Sequence, residues 1–190
     1  MGKLFEIIDD GLRAFIEAQK IFFVATAPAA AGGHINLSPK GLDSLRILGP
    51  RTVGYLDLTG SGVETIAHLK ENGRIVIMLC AFEGPPRIVR LQGRGTAIEP
   101  QDEKYAALLE HFTPMPGMRA IIRVEVGRIS DSCGTGVPLY RYENQRSQLI
   151  TGAERKGETG IREYQRKNNA SSIDGLPGLR SVGHSGSRNS

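Results

Sequence analysis

Two short stretches of the sequence gather hydroxyl, lysine and glycine residues at the ends of apolar runs. Residues 34–41 read His-Ile-Asn-Leu-Ser-Pro-Lys-Gly, and residues 59–65 read Thr-Gly-Ser-Gly-Val-Glu-Thr, directly before a helical pattern. Backbone N–H groups, hydroxyls and a helix N-terminus gathered in this way suit an anion, most simply a phosphate. The same Gly-Ser-Gly is also typical of a plain turn with a helix cap, so this stretch alone leaves both interpretations open.

Several other kinds of site are not indicated by the sequence. The four histidines are dispersed, and Cys80 and Cys133 are far apart, so neither a metal site nor a disulfide framework is predicted. The chain has no hydrolase nucleophile elbow, no phosphate-loop lysine motif and no dinucleotide-binding glycine pattern. His68 lies within a predicted helix, one residue before an inward-facing leucine, and we expect it to be a buried structural residue.

The composition is that of an ordinary soluble globular protein. The chain has 190 residues, of which 39% are hydrophobic and 23% charged, enough for one domain with a core. The formal net charge is +4 and the basic residues are scattered, so nucleic-acid binding is not implied. No apolar run could cross a membrane, and the N-terminus does not resemble a signal peptide. We therefore expect a cytoplasmic protein with no membrane or nucleic-acid partner.

The elements that must position the two polar stretches are predicted to be mostly strands. β-Branched and alternating runs predict six strands, and the spacing of apolar residues predicts three short helices between or before them. Because hairpins link most strands and the strand–helix alternation of a parallel sheet is absent, a small antiparallel barrel is favoured. The predicted strands are residues 21–27, 34–37, 53–58, 74–82, 87–98 and 120–129, and the predicted helices are residues 9–19, 63–72 and 100–112.

The chain changes character after residue 130. A glycine-rich loop over residues 131–138 is followed by polar segments, and residues 153–167 carry a weak helical pattern that must pack on another surface. Residues 42–51 are predicted to be irregular. We assign residues 1–180 to a single domain that includes the extension 130–180, and residues 181–190 to a flexible tail.

Taken together, these stretches resemble the pyridoxamine 5′-phosphate oxidase-like superfamily, the FMN-binding split barrels. The resemblance rests on the order and spacing of residues 36–41, 55–62, 64–72 and 87–93, and it covers about residues 5–180. It implies a mainly β fold with flanking helices, a six-stranded antiparallel split β-barrel, and a homodimer. It also implies FMN as the cofactor, held in two clefts at the subunit interface.

The resemblance assigns individual residues to the ring of that cofactor. By position, Ser38 and Lys40 would lie along the edge of the flavin. Leu56, Asp57 and Thr59 would supply backbone and side-chain contacts to the ring.

The resemblance likewise assigns the rest of the cofactor site. Ser61, Gly62 and Thr65, at the start of the predicted helix, would hold the ribityl phosphate. Arg90 and Gln92 would reach the cofactor from the long strand of the partner subunit. The resemblance names no catalytic side chain.

The sequence departs from the pattern of the superfamily at three places. The Arg-Gln-Val-Arg of the true oxidases is Arg87-Ile88-Val89-Arg90 here, which loses the amide. The phosphate site often carries Ser-x-Lys where this chain has Val63-Glu64-Thr65, and a carboxylate beside a phosphate is repulsive unless it points away. The oxidases end in a signature that contains tryptophan, and this chain has none. The implied function is therefore an FMN-dependent oxidoreductase acting on an unidentified small molecule. A non-catalytic flavin- or heme-binding store or sensor, and a deazaflavin-dependent reductase on the same barrel, remain open alternatives.

Overall fold

A single antiparallel sheet organises the chain. The computed structural model describes residues 2–182, so residues 183–190 of the predicted tail lie outside the described residues. The sheet has eight strands. They are β1 (Leu4–Phe5), β2 (Phe22–Thr26), β3 (Asn36–Lys40), β4 (Leu45–Gly49), β5 (Thr52–Leu58), β6 (Arg74–Cys80), β7 (Ile88–Ile98) and β8 (Met118–Ser132).

The strands follow the order β3-β2-β6-β7-β8-β5-β4, with β1 paired to the far end of β8. Every pairing is antiparallel and the described sheet does not close on itself, so the expected mainly β, split-barrel fold class is confirmed. The expected count of six strands was too low by two. β1 has only two residues, and β4 lies within residues 42–51, where partial burial of every residue conceals the alternation expected of a strand.

The core explains why these strands form. Val24, Ile77, Leu91 and Ile129 occupy one row across β2, β6, β7 and β8, and each is at most 1% exposed. Burying a side chain of this size contributes roughly 1.5–3 kcal/mol. The same row continues onto the edge strand β3 at Ser38, which pairs with Val24. The inward face of the sheet therefore becomes polar where it reaches β3.

Within residues 2–182, four helices flank the sheet. They are α1 (Asp10–Ala18), α2 (Glu64–Asn72), α3 (Tyr105–Leu109) and α4 (Gln148–Asn168), followed by a 3₁₀ turn at Arg180–Val182. α2 ends at Gly73, whose left-handed backbone (φ 69°) lets its N–H bond to the carbonyl of Leu69. α4 contains the weak helical pattern of residues 153–167 and is interrupted at Gly157, where φ is 61°. Among the described helices, none has the length and apolar character needed to cross a bilayer.

Candidate functional site

A buried carboxylate lies at the centre of the site. Asp57, on β5, is fully buried, and its two oxygens are bound by different cations. Lys40 Nζ, from the edge strand β3, lies 3.0 Å from Oδ1, and Arg119 Nε, from β8, donates to Oδ2 at 2.7 Å. The three residues come from three different strands, so the sheet itself fixes the position of the lysine.

The ion pairs keep Asp57 charged. Burial alone would raise the pKa of this carboxyl, but the guanidinium of Arg119 and the ammonium of Lys40 outweigh it and lower the pKa to about 2. Lys40 is the more accessible of the two cations, because its side chain is 22% exposed and that of Arg119 only 5%. The arrangement presents a fixed positive charge at the edge of the sheet.

A tyrosine packs beside this charge. The ring centroid of Tyr55 lies 5.9 Å from Lys40 Nζ, and the side chain is completely buried. Burial raises the pKa of its phenol well above the usual value, and the nearby Asp57 charge adds to this. Within the described chain the Tyr55 hydroxyl has no hydrogen-bond partner. The oxygen is inaccessible from the surface and lies near Thr65, so Tyr55 belongs to the core that supports the site.

A line of hydrogen bonds runs from β3 to α2. Ser38 Oγ donates to Asn36 Oδ1 at 3.0 Å, and Asn36 Nδ2 donates to Thr65 Oγ1 at 3.0 Å. Thr26 Oγ1 lies 2.9 Å from Nδ1 of His68. His68 is fully buried, which lowers the pKa of its imidazole. The line brings two predicted site residues, Ser38 and Thr65, to either side of Asn36, which the sequence reasoning did not single out.

The predicted phosphate turn leads into α2 as expected from the sequence. Val63 caps the helix without a side-chain hydrogen bond, and the first helical bond runs from the Ala67 N–H to the Val63 carbonyl. The N–H groups of residues 64–66 therefore lie outside the helical ladder and are free to bind an anion. Ser61 is exposed and Gly62 is partly buried at this turn.

A carboxylate and the C-terminal extension cover part of that turn. The Glu64 carboxylate lies so close to Gly62 that a Cβ there would collide with it. Glu64 Oε1 also accepts the Ile173 N–H at 3.3 Å, and Asn169 Nδ2 donates to the Gly60 carbonyl at 3.0 Å. A phosphate at the helix terminus would therefore meet Glu64, the repulsive contact that the sequence indicated.

The backbone groups of Leu56 and Thr59 are already engaged within the fold. The Leu56 N–H donates to the Ser44 carbonyl at 3.0 Å, and the Thr59 N–H donates to the Gly117 carbonyl at 2.8 Å. Thr59 Oγ1 accepts a hydrogen bond from Gln165 Nε2, on α4, at 2.8 Å. These two residues therefore help to shape the walls of the site in the described conformation.

Arg90 and Gln92 lie on the other face of the sheet. Side chains alternate along each strand, and the register places Arg90 beside Met78 and Gln92 beside Val76, on the outward side. Arg90 Nη1 donates to Ser132 Oγ at 2.9 Å. Within one subunit these two residues are therefore not brought together with Ser38 and Lys40, which face inward.

Arg119 is the most important residue that the sequence reasoning missed. Asp57 pairs with Ala120 and Leu58 with Met118, so Arg119 is the extra residue of a β-bulge. The bulge turns the arginine towards Asp57 from a position that strict alternation would not predict. The sequence offers no signal for it, because Arg119 lies just before the predicted strand 120–129 and β8 carries other arginines, Arg123 and Arg128.

A groove of about 1170 Å³ opens beside Lys40. It is large enough for a tricyclic ligand. Aromatic side chains contribute to its walls, among them Phe23, Phe82, Tyr140 and Tyr142. As for metals, residues 2–182 contain no cluster of three His, Cys, Asp or Glu side chains that could hold an ion.

Comparison with known proteins finds a family model, a sequence relative and solved structures that are similar to this chain. The family model described as pyridoxamine 5′-phosphate oxidase matches residues 8–133. The pyridoxamine 5′-phosphate oxidase family protein ustO of Aspergillus flavus is 41% identical over 199 residues, covering 96% of this chain and 80% of that protein. The 1.70 Å crystal structure of HupZ from Group A Streptococcus is 25% identical with a TM-score of 0.51, covering 64% of this chain and 91% of HupZ. A HupZ variant at 1.98 Å is 24% identical with a TM-score of 0.53, covering 66% and 99% of the two chains.

Proposed function

The chain belongs to the pyridoxamine 5′-phosphate oxidase family, and on that premise we propose that it binds FMN beside Lys40 and acts as an oxidoreductase on a small molecule. When bound, FMN supplies the redox chemistry, and the protein contributes orientation and charge. The observation that carries the proposal is the lysine on the edge strand, held in place by the fully buried Asp57.

The ring end of the site fits a flavin. Lys40 gives one hydrogen bond to Asp57, so its remaining ammonium protons are free for a carbonyl oxygen on the ring. A fixed cation at that point stabilises negative charge on the ring as it is reduced. Ser38 lies on the same inward side of β3 as Lys40 but does not line the groove, whose sheet-side residues Phe23 and Pro39 lie on the opposite face. The aromatic groove would therefore take the planar ring system at the edge of β3, beside Lys40.

The other end of the site fits the phosphate of FMN if one side chain, that of Glu64, changes its position. An anion at the start of α2 would meet several polar groups. They are the free N–H groups of residues 64–66, the Thr65 hydroxyl and the Asn36 amide. Glu64 must move away from Gly62 for a phosphate to bind there. Ser61 and Gly62 then line the turn, as the resemblance implies.

We further propose that the protein is a homodimer with one cofactor in each of two clefts. The outward face of the sheet carries Val76 and Met78 beside Arg90 and Gln92, and Leu37 on its edge strand is 65% exposed. An apolar face with interspersed polar groups is the composition that a protein interface needs. Pairing two copies through this face would bring the partner's long strand to the cofactor.

The proposal does not extend to pyridoxamine phosphate as the substrate. The oxidases that act on that vitamin form end in a signature that contains tryptophan, and this chain has no tryptophan. The groove is lined instead by residues of the segment 140–149, which precedes and begins α4. These residues would determine which small molecule reaches the cofactor.

Titration of the purified protein with FMN, followed by quenching of flavin fluorescence, tests the proposal. We expect Lys40→Ala to weaken FMN binding about tenfold, because a charge-assisted hydrogen bond is lost, and Ser61→Ala in the same chain to weaken it further. Lys104→Ala, at an exposed position just before α3, serves as the control and should bind as the wild type does. A wild-type protein that binds neither FMN nor FAD would refute the proposal.

Two further measurements separate the parts of the proposal. Binding of heme or deazaflavin without FMN would favour the alternatives named above, and bound FMN that no electron donor reduces would favour a store or sensor. Light scattering after size exclusion gives the oligomeric state. Leu37→Arg should convert a dimer to a monomer and weaken FMN binding with it, because the side chain is exposed in the single chain.

A further inference from the structure

A second cavity lies on the other side of Asp57. It has a volume of about 680 Å³ and is enclosed by α4, the start of β8 and the residues around Val182. This volume is within the range of small-molecule sites. The groove beside Lys40 and this cavity have no lining residue in common, so they are two separate cavities.

The innermost charged residue of this cavity is Arg119. The side chain is 5% exposed, and its Nε is bound to Asp57. Its Nη1 is buried and has no acceptor among the described residues. A buried guanidinium N–H without an acceptor is costly, and a carboxylate is the acceptor that matches the planar, forked geometry of arginine.

We propose that this cavity binds a small molecule that carries one carboxylate group on an apolar body, with Arg119 as the anchor of the carboxylate. The inference does not depend on FMN binding, because Lys40 and Arg119 contact different oxygens of Asp57 and line different cavities.

The charges around the cavity favour a single negative charge. Arg119, Arg162 and Arg166 line it together with Glu154 and Glu158, so three positive and two negative groups give a net charge of +1. Arg162 Nη2 lies 3.4 Å from Glu158 Oε2, which partly neutralises both. The two glutamates and Asp57, which is bound to Arg119, repel a dianion such as phosphate more strongly than a singly charged carboxylate.

The remaining walls suit an apolar body. Pro116, Met118, Ala153 and Ile161 contribute to the lining, and Gln165 lies on the same face of α4. Apolar walls with a few convergent polar groups are the usual composition of a small-molecule site. The cavity thus combines one unsatisfied arginine with room for a ring or a short chain.

The test uses benzoate as the probe, titrated into the full-length protein and followed by amide chemical shifts. We expect saturable shifts at Gly117 and Gly157, both of which line the cavity. Arg119→Lys keeps a cation beside Asp57 but removes the free guanidinium N–H groups, and it should weaken benzoate binding at least about tenfold. Inorganic phosphate should bind more weakly than benzoate.

Surface variants of α4 keep the test decisive if Arg119→Lys does not fold. Arg162→Gln with Arg166→Gln should weaken benzoate binding about fivefold, because the cavity then loses its excess positive charge. Arg155→Gln is the matched control, since Arg155 is exposed on the same helix and does not line the cavity. Absence of benzoate binding to the wild type, equal binding to the arginine variants, or tighter binding of phosphate would overturn the proposal.

Discussion

Two carboxylates of this protein, Asp57 on β5 and Glu99 just after β7, are wholly buried, and each is paired with two cations. Glu99 lies 3.0 Å from Lys70 Nζ and accepts the backbone N–H of Arg180 at 2.9 Å, and the side-chain amide of Gln101 at 3.1 Å. Both of its oxygens are therefore used by groups that hold the end of the described chain against the sheet.

Both oxygens of Asp57 are also bound by cations, but the two pairs of cations differ in how far they are buried. The side chains of Lys70 and Arg180 are 27% and 50% exposed, so their remaining N–H groups reach water. Arg119 is almost fully buried and keeps an unused N–H group beside Asp57. The contrast shows that a buried carboxylate stabilises the fold in both places, whereas only Asp57 is paired with a buried cation that keeps an N–H group without an acceptor among the described residues.

The largest expected effect comes from breaking the pair at Asp57. Asp57→Asn leaves two cations, one of them buried, without a counter-charge, and removing one partner of a buried ion pair typically costs about 3–5 kcal/mol. Urea denaturation should show that loss in the free energy of unfolding. Asp43→Asn is the control, because Asp43 pairs with Arg46 while remaining 86% exposed, and the change should be below about 0.5 kcal/mol. Equal effects of the two variants would contradict the comparison.

The stability of the wild type should depend on pH through the charge of Asp57, and the stability of Asp57→Asn should not. The pKa of Asp57 is lowered from its ordinary 3.8 to about 2, so its contribution is complete above pH 3.8 and is lost as the pH falls towards 2. A shift of this size corresponds to about 2 kcal/mol. Urea midpoints measured from pH 5 down to pH 2.5 should fall more steeply for the wild type than for Asp57→Asn. Parallel curves would show that Asp57 does not titrate as proposed.

Loss of the Glu99 charge should act more locally. Glu99→Gln keeps one oxygen for the Arg180 N–H, and both cationic partners can turn to water, so we expect a loss of only about 1–2 kcal/mol. Trypsin should cleave after Arg180 faster in this variant than in the wild type, because that residue loses its ion pair with Glu99 and is held less tightly. Glu103→Gln, at an exposed position nearby, should leave both measurements unchanged. A global loss without faster cleavage would argue that Glu99 does not tie down the chain end.

The sequence predicts most of the sheet because its central strands are short runs rich in apolar residues, β-branched in β6 and β8 and mixed with an aromatic residue in β5. The predicted residues 53–58, 74–82 and 120–129 correspond to β5 (Thr52–Leu58), β6 (Arg74–Cys80) and β8 (Met118–Ser132). It fails at the edges. β4 is partly buried throughout, which hides the alternation of a strand. The predicted helix over residues 100–112 is shorter in the structure, where it spans Tyr105–Leu109.

The residues of the candidate site likewise differ in whether the sequence could predict them. Lys40 and Ser38 could be proposed from the sequence because they form a local motif at the end of one strand. Arg119 could not, since its contact with Asp57 depends on a one-residue bulge between two strands more than 60 residues apart in the chain. A bulge changes which face a side chain takes without leaving a periodic signal.

The smallest expected effect concerns Glu64, a third carboxylate, which is neither fully buried nor paired with a cation among the described residues. Glu64→Gln keeps an oxygen for the Ile173 N–H but removes the negative charge from the start of α2. Losing an acid at a helix N-terminus costs about 0.3–1 kcal/mol of stability. If a phosphate binds at the same N–H groups, the variant should bind FMN about threefold more tightly, because the repulsion is gone. Glu71→Gln, near the other end of the helix, should leave FMN affinity unchanged. An unchanged affinity in Glu64→Gln, with FMN still bound, would place the phosphate away from α2 while leaving the contacts of Lys40 intact.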